Sequence, residues 1–202
     1  MPLVSHRMIF LRHGETPYNE QGRLQGQTDI ALSAKGREQA ESVGRYLRHK
    51  YAREIAAIPS PENFIASPLV RTQETMQLAR RALGFADDAY VLEPRLKEIG
   101  FGDWEGLTWA EVEARDPSGF RARKADKWNF APRGGESYAM LIERVRPWLA
   151  GLRQETFVAA HGGVAKVLMT LIGGVAPEIA MDAKIWQGRA LIFEQNRFFW
   201  RG

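Results

Sequence analysis

A short apolar run, Arg7-Met8-Ile9-Phe10-Leu11, stops at Arg12-His13-Gly14, and a second, Thr156-Phe157-Val158-Ala159-Ala160, stops at His161-Gly162-Gly163. Apolar runs this short, closed by glycine, read as buried strands breaking into loops. Helical patterns separate them. Ser33 offers a cap for a helix in which Ala40, Val43 and Leu47 share one face, ending before about residue 54. Asn63-Phe64-Ile65-Ala66 reads as another buried strand, and Ser67-Pro68 as the opening of a helix with proline at its first position and Arg71 in its first turn. Val91, Leu92 and Leu96 point to an extended segment leading to Glu98, and a short helix from about Trp109 to Arg115 ends before Asp116-Pro117. Leu141, Val145, Trp148 and Leu152 mark a helical run that Pro147 bends or interrupts. Val164 to Ile172 is the next helix, and Ala190–Phe193 with Phe198–Trp200 forms a closing hairpin. The alternation predicts an α/β fold: a three-layer α/β/α sandwich with a mixed, mostly parallel central sheet.

At 202 residues the chain can bury a full core, and residues 1–202 read as a single domain. From Gly119 to Gly135 neither period persists; Arg121, Arg123, Lys124 and Lys127 mix with Phe120, Trp128 and Phe130. That stretch belongs to an insert at about 101–136 expected to cover the active site. The formal charge is +4 with no run of five basic residues, which argues against a nucleic-acid partner. The absence of cysteine excludes disulfides, thiolate catalysis and thiolate-built zinc sites. No stretch approaches the roughly 20 apolar residues of a membrane span, and no secretory core follows the N-terminus, so the expected setting is cytoplasmic, away from membranes.

The candidate functional residues sit where strands end, the usual place for active groups in open α/β sheets. Arg12 and Arg71 carry guanidinium forks that match phosphate oxygens and stay charged at any working pH. His13 and His161 are each followed by glycine, which lets backbone amides approach an anion. His6 and His49 lie outside these segments and are read as non-catalytic.

Four segments extend the pattern. Leu11-Arg12-His13-Gly14-Glu15-Thr16 continues to Asn19 and to Gly22-Arg23-Leu24-Gln25-Gly26-Gln27-Thr28-Asp29. It is followed by Ser67-Pro68-Leu69-Val70-Arg71-Thr72-Gln73-Glu74-Thr75, by Leu96-Lys97-Glu98-Ile99-Gly100-Phe101-Gly102-Asp103-Trp104-Glu105-Gly106, and by Ala160-His161-Gly162-Gly163. In this order, from about residue 7 to about residue 170, the chain resembles branch 1 of the histidine phosphatase superfamily, whose fold is phosphoglycerate mutase-like. The resemblance implies that His13 is the nucleophile that becomes a phosphohistidine, with His161 binding and stabilising the transferring group. It implies that Glu98 protonates the leaving alcohol and then activates water, which calls for a raised pKa. Arg12, Arg71 and Asn19 would bind the phosphate, and Gly26 would lie where the loop passes close to substrate. A backbone carbonyl bonded to the other nitrogen of His13 would fix its tautomer.

In the family's mutases the acidic residue is followed by arginine and tyrosine, and the last histidine by Gly-Asn. Here those places hold Ile99, Gly100, Phe101 and Gly163, and the resemblance is closest to the phosphatase subgroup, which includes α-ribazole phosphatases and fructose-bisphosphatase domains. The expected activity is that of a histidine acid phosphatase-type phosphoric monoester hydrolase acting on a small phosphorylated metabolite. It needs no metal and no cofactor. One alternative is a cofactor-dependent phosphoglycerate mutase, the single case needing 2,3-bisphosphoglycerate; another is a non-catalytic protein that binds a phosphorylated ligand. Arg121, Arg123, Lys124 and Lys127 are either a second anion site or a solvated face. Trp104, Trp109, Trp128 and Phe130 either line a pocket or pack the insert. Glu136 and Ser137 are read first as helix caps. The oligomeric state stays open, a homodimer being one outcome.

Overall fold

The computed structural model describes residues 6–58 and 60–202. Six strands form one sheet: β1 (Met8–Arg12), β2 (Phe64–Ala66), β3 (Val91–Leu92), β4 (Thr156–Ala160), β5 (Ala190–Glu194) and β6 (Arg197–Arg201). Their order is β3-β2-β4-β1-β5-β6. β1 to β4 run parallel, whereas β5 lies antiparallel to β1 and pairs antiparallel with β6. Gln195 and Asn196, both at positive φ, turn that last hairpin. The sheet is mixed and mostly parallel, as expected.

Among the described residues the helices are α1 (Pro17–Glu20), α2 (Ala34–Lys50), α3 (Ala52–Ala56), α4 (Val70–Leu83), α5 (Trp109–Arg115), α6 (Pro117–Ala125), α7 (Tyr138–Gly151), α8 (Gly162–Leu171) and α9 (Pro177–Asp182). Side chains alternate across β1 with the period of two that a strand imposes. Met8 and Phe10 face a core shared with Leu141, Val145 and Leu149 of α7 and Val164 and Leu168 of α8. Ile9 and Leu11 face a second core with Val43 and Leu47 of α2 and Met76 and Ala79 of α4. The sheet is thus sandwiched between two helical layers.

β4 inserts between β1 and β2, which positions everything that follows. Arg12 is in register with Ala160, and Ala66 with Ala159. The His13 amide still donates to the Ala160 carbonyl at 2.9 Å, and the Ser67 amide to the Ala159 carbonyl at 3.0 Å. His13, His161 and Ser67 therefore leave the sheet side by side at the carboxyl edge.

Several boundaries differ from the sequence expectation. The helix after β2 starts at Val70, with Leu69 as its cap, because Ser67 is still tied to the sheet. Leu96 lies in a 3-10 turn, Pro94–Leu96, which the Glu93 side chain caps, rather than in extended chain. Tyr51 divides the first long helix into α2 and α3. α6 occupies part of the stretch expected to be irregular; Asp116 caps it and Pro117 fills its first position, but none of its residues is buried. Such a helix shows no apolar stripe to read. α9 was also not anticipated. α7 runs through Pro147 without breaking. In the 101–136 segment Trp104 is buried against Phe130, with ring centroids 5.4 Å apart, and donates through Nε1 to Asp116 at 3.1 Å. With Leu24 and Val112 it forms a small separate core. No described helix is long and apolar enough to cross a membrane.

α2 and α4 touch at Gly44, where a Cβ would stand 2.8 Å from the Ala79 carbonyl oxygen and 2.7 Å from the Ala82 Cβ. Helix propensity alone makes Gly→Ala stabilising by about 1 kcal/mol. Gly44→Ala is expected to reverse that sign and cost about 1–2 kcal/mol through overpacking, read as a lower urea midpoint.

Candidate active site

His13 and His161 stand at the ends of neighbouring strands with ring centroids 5.3 Å apart and planes inclined at 60°. The Gly14 carbonyl lies 2.7 Å from His13 Nδ1. A carbonyl can only accept, so Nδ1 carries the proton and Nε2 keeps its lone pair. This is the tautomer-fixing carbonyl anticipated from the sequence. Burial holds the His13 pKa well below 6.5, and the charges of Arg12 and Arg71 push it the same way. His161 is depressed likewise by burial, then by Arg71, His13 and Arg12. Its Nε2 lies 2.8 Å from the Ser67 hydroxyl, while Nδ1 is buried with no partner among the described residues.

Arg71 is fully buried and donates through Nη1 to the Thr28 carbonyl and through Nη2 to the Gly26 carbonyl, each at 2.8 Å. Arg12 donates through Nη1 to the Ile185 carbonyl at 2.8 Å. The Nε–H of both arginines is buried and unpartnered among the described residues. The loop that holds Arg71 is itself pinned by Glu105, whose carboxylate accepts from the Gln27 and Thr28 amides at 2.9 and 3.0 Å and from the Phe101 amide at 3.1 Å. Gly26 has φ +52°, and a Cβ there would fall 1.9 Å from Glu105 Oε1. Its glycine is thus accounted for by Glu105 and by the backbone conformation, and its carbonyl serves Arg71.

Glu98 Oε1 accepts from its neighbour's amide, Ile99, at 3.0 Å and from the Gly163 amide at 2.9 Å, in the first turn of α8. Both bonds, with Arg71 and Arg12, favour the carboxylate, yet burial outweighs them and the pKa is raised. A Cβ on Gly163 would lie 2.4 Å from Oε1, so glycine is what admits the carboxylate. A Cβ on Gly162 would stand 3.7 Å from Arg12 Nε and 3.9 Å from Glu98 Oε2, which places those atoms around one point. Asn19 lies in α1, its Oδ1 accepting from the Thr16 amide at 3.2 Å and from Gln187 Nε2 at 2.8 Å.

Sequence reasoning did not assign the residues that hold these groups. Ser67 and Glu105 fall inside the quoted segments without a local signal of their roles. Ser137 caps α7 by accepting from the Met140 amide, as expected. Glu136 instead pairs with Arg144 at 2.8 Å and accepts from the Gly100 amide at 3.0 Å. Arg144 also donates to the carbonyls of Arg95, at 2.7 Å, and Lys97, at 3.1 Å, clamping the segment that presents Glu98. Tyr138 is buried, its phenol pKa raised by burial and by Glu98. The Arg123 guanidinium lies 4.7 Å from the Trp109 ring centroid and has no carboxylate partner among the described residues. With Trp109, Phe120, Lys124 and Lys127 it lines a cavity of about 260 Å³. Lys127 reaches Asp182 at 3.0 Å, and Arg121 does not line the cavity. Trp128 stacks on Tyr138 with centroids 6.0 Å apart.

An ordinary histidine is largely protonated at about pH 6. His13 and His161 are expected to stay neutral there, His13 as the Nδ1–H tautomer, in ring ¹⁵N spectra. Because the unfolded chain binds those protons first, their contribution to stability is complete above 6.5 and is lost as pH falls toward the depressed folded values.

Residues 8–197 match the histidine phosphatase superfamily (branch 1). A glucosyl-3-phosphoglycerate phosphatase of Mycolicibacterium vanbaalenii is 35% identical over 182 residues, covering 84% of this chain and 75% of that protein. A 2,3-bisphosphoglycerate-dependent phosphoglycerate mutase of Beijerinckia indica is 30% identical over 200 residues, covering 92% of this chain and 90% of that one. The structure of a mycobacterial glucosyl-3-phosphoglycerate phosphatase superposes with TM-score 0.77 at 28% identity, covering 97% of this chain and 96% of the other. That of the alpha-ribazole phosphatase from Shigella flexneri gives 0.79 at 25% identity, with 96% and 94% covered. With nearly its whole length matched, the chain belongs to branch 1 of the histidine phosphatase superfamily.

Proposed function

We propose that this protein hydrolyses a small phosphorylated metabolite through a phosphohistidine formed on His13. The observation that carries the reading is the set of buried, unpartnered N–H and ring-nitrogen positions on Arg12, Arg71 and His161 around a histidine whose Nε2 lone pair is free. Donors that find no protein partner in a buried site call for an anion, and the two Nε–H groups, with His161 Nδ1–H when the Ser67 hydroxyl donates to Nε2, suit the equatorial oxygens of a phosphoryl group.

In the first step Nε2 attacks phosphorus, the bond to the ester oxygen breaks, and Glu98 gives its proton to the departing alkoxide. His13 retains Nδ1–H on the Gly14 carbonyl, which spreads the charge it acquires. In the second step the Glu98 carboxylate takes a proton from water as the oxygen attacks phosphorus, the N–P bond breaks, and His13 and Glu98 return to their starting states. A dianionic ester beside Glu98 raises its pKa further, which favours the acid form in the complex. The two arginines supply the positive charge, so neither a metal nor a cofactor enters.

The cavity beside α5 and α6 supports a narrower substrate class. Arg123, over the Trp109 ring without a carboxylate partner among the described residues, favours a monoester that bears a second anionic group. The same cations support a second reading, transfer to a retained hydroxyl as in the Beijerinckia relative.

The deciding experiment measures, in EDTA, phosphate release from a panel of monoesters beside conversion of 3- to 2-phosphoglycerate with bisphosphoglycerate supplied. Release without isomerisation and undiminished by chelator is expected; dominant isomerisation would establish the mutase, and loss of activity in EDTA would refute the metal-free scheme. His13→Ala is expected to abolish the trapped phosphoenzyme. Glu98→Gln should lower kcat by about 10²–10⁴ while KM changes little. Activity should fall on the acid side as His13 protonates and on the alkaline side as Glu98 ionises, and Glu98→Gln should remove the alkaline limb.

A further inference from the structure

Residues 183–189 link α9 to β5 as a strap across the phosphate-binding end of the site. Ile185 is buried in the core beneath, and its carbonyl takes the Arg12 Nη1–H at 2.8 Å. Two residues on, Gln187 Nε2 donates to Asn19 Oδ1 at 2.8 Å. Between them Trp186 is bracketed by Lys184, its ammonium 3.6 Å from the ring centroid, and by Arg189 at 5.4 Å. These cation–π contacts stiffen the strap at the residue that separates its two points of attachment.

We propose that Gln187 is a positioning residue that holds the Asn19 amide with its Nδ2–H₂ toward the bound phosphoryl group. An asparagine amide has a donor end and an acceptor end, and its orientation is decided by what surrounds it. Here Oδ1 faces two N–H donors, the Thr16 amide and Gln187 Nε2, and lies 3.2 Å from the Thr16 hydroxyl. Reversal would set N–H against N–H at both, so the donor end points away from them. Thr16 and Asn19 already form a capping box within α1, but that local pair spans only one turn. The Gln187 bond comes from the same strap that fixes Arg12, so one segment orients two donors from which it is itself 168 and 173 positions distant. Without it only the contacts with Thr16, both at 3.2 Å, oppose rotation of the amide, and Oδ1, a lone pair, can turn to an anion.

This inference rests on the phosphatase reading, and its test keeps the two apart. Orthovanadate serves as the phosphoryl analogue, inhibiting p-nitrophenyl phosphate hydrolysis by the full chain. Gln187→Ala is expected to raise both the vanadate Ki and KM roughly tenfold, the size of one hydrogen bond to an anion, with kcat and Tm little changed. Gln187→Glu keeps the shape but offers only acceptors, which invert the amide, and should lose more. In an Asn19→Ala background both changes should have little further effect, because the group they position is gone. Losses that add to that of Asn19→Ala, or an unchanged Ki in both variants, would overturn the inference and leave a working phosphatase. A wild-type protein that neither turns over phosphate esters nor responds to vanadate would overturn the phosphatase reading itself.

Discussion

Positive charge buried without a matching carboxylate is the constraint on which this structure depends. Taking a guanidinium out of water is costly unless its N–H groups are hydrogen-bonded. Arg71 and Arg12 meet that demand with backbone carbonyls, those of Gly26, Thr28 and Ile185. Carbonyl dipoles satisfy the donors without cancelling the charge, and each Nε–H remains unpartnered. Burial first, and then the field that survives, hold both histidine pKa values well below 6.5. The demand of Arg71 also explains the loop at residues 26–28, where the Gly26 and Thr28 carbonyls face inward. That arrangement exposes the loop's amides on the other side, where Glu105 collects them.

Glu98 is the group on which this field acts in the opposite sense. Arg71, Arg12 and the α8 amide all favour its ionised form, and burial still raises its pKa. The balance is therefore held by solvent exclusion, and it shifts toward the acid when negative charge arrives beside it. Such a balance is useful only if the carboxyl stays in place. Two devices hold it: Gly163, which leaves room for the carboxylate on the first turn of α8, and the Glu136–Arg144 pair, which fastens the surrounding backbone. Ser67 plays the corresponding part for His161, taking Nε2 so that Nδ1 is the free nitrogen.

Much of this was legible in the sequence because the parts that carry it are local. Met8–Arg12 and Thr156–Ala160 are buried on both faces and end in histidine and glycine, so both their conformation and their chemistry lie in adjacent residues. α6 and α9 were missed for the converse reason. α6 buries nothing and α9 is one and a half turns long, so neither writes a hydrophobic period. The supporting residues were illegible for a different reason. Glu105 acts on amides 77 and 78 positions away, Arg144 on carbonyls 47 and 49 positions away, and Gln187 on a side chain 168 positions away. No window of sequence contains both members of such a pair. Ser67 shows the mixed case: its place beside a strand could be read, but its bond to His161 depends on β4 inserting between β1 and β2.

The candidate active site and the α5–α6 cavity rest on different cores, and this bears on how one fold serves many phosphate esters. The phosphoryl end is assembled from strand termini and the helix starts that follow them, inside the two main cores. The cavity at Trp109 and Arg123 is lined mostly by α5 and α6, and Val112 of α5 belongs to a small separate cluster with Leu24 and Trp104. A substitution among Trp109, Phe120, Arg123 and Lys124 changes the shape and charge of the cavity without touching the bonds that orient Arg12, Arg71 or His13. Selection can therefore alter the client while the chemistry stands, and similar chains carry names as different as glucosyl-3-phosphoglycerate phosphatase, alpha-ribazole phosphatase and phosphoglycerate mutase. In the proposed reading, hydrolysis and transfer differ in how long the alcohol is held after its proton arrives, and the Arg123 guanidinium on Trp109, with no carboxylate partner among the described residues, is the group that would hold an anionic alcohol there.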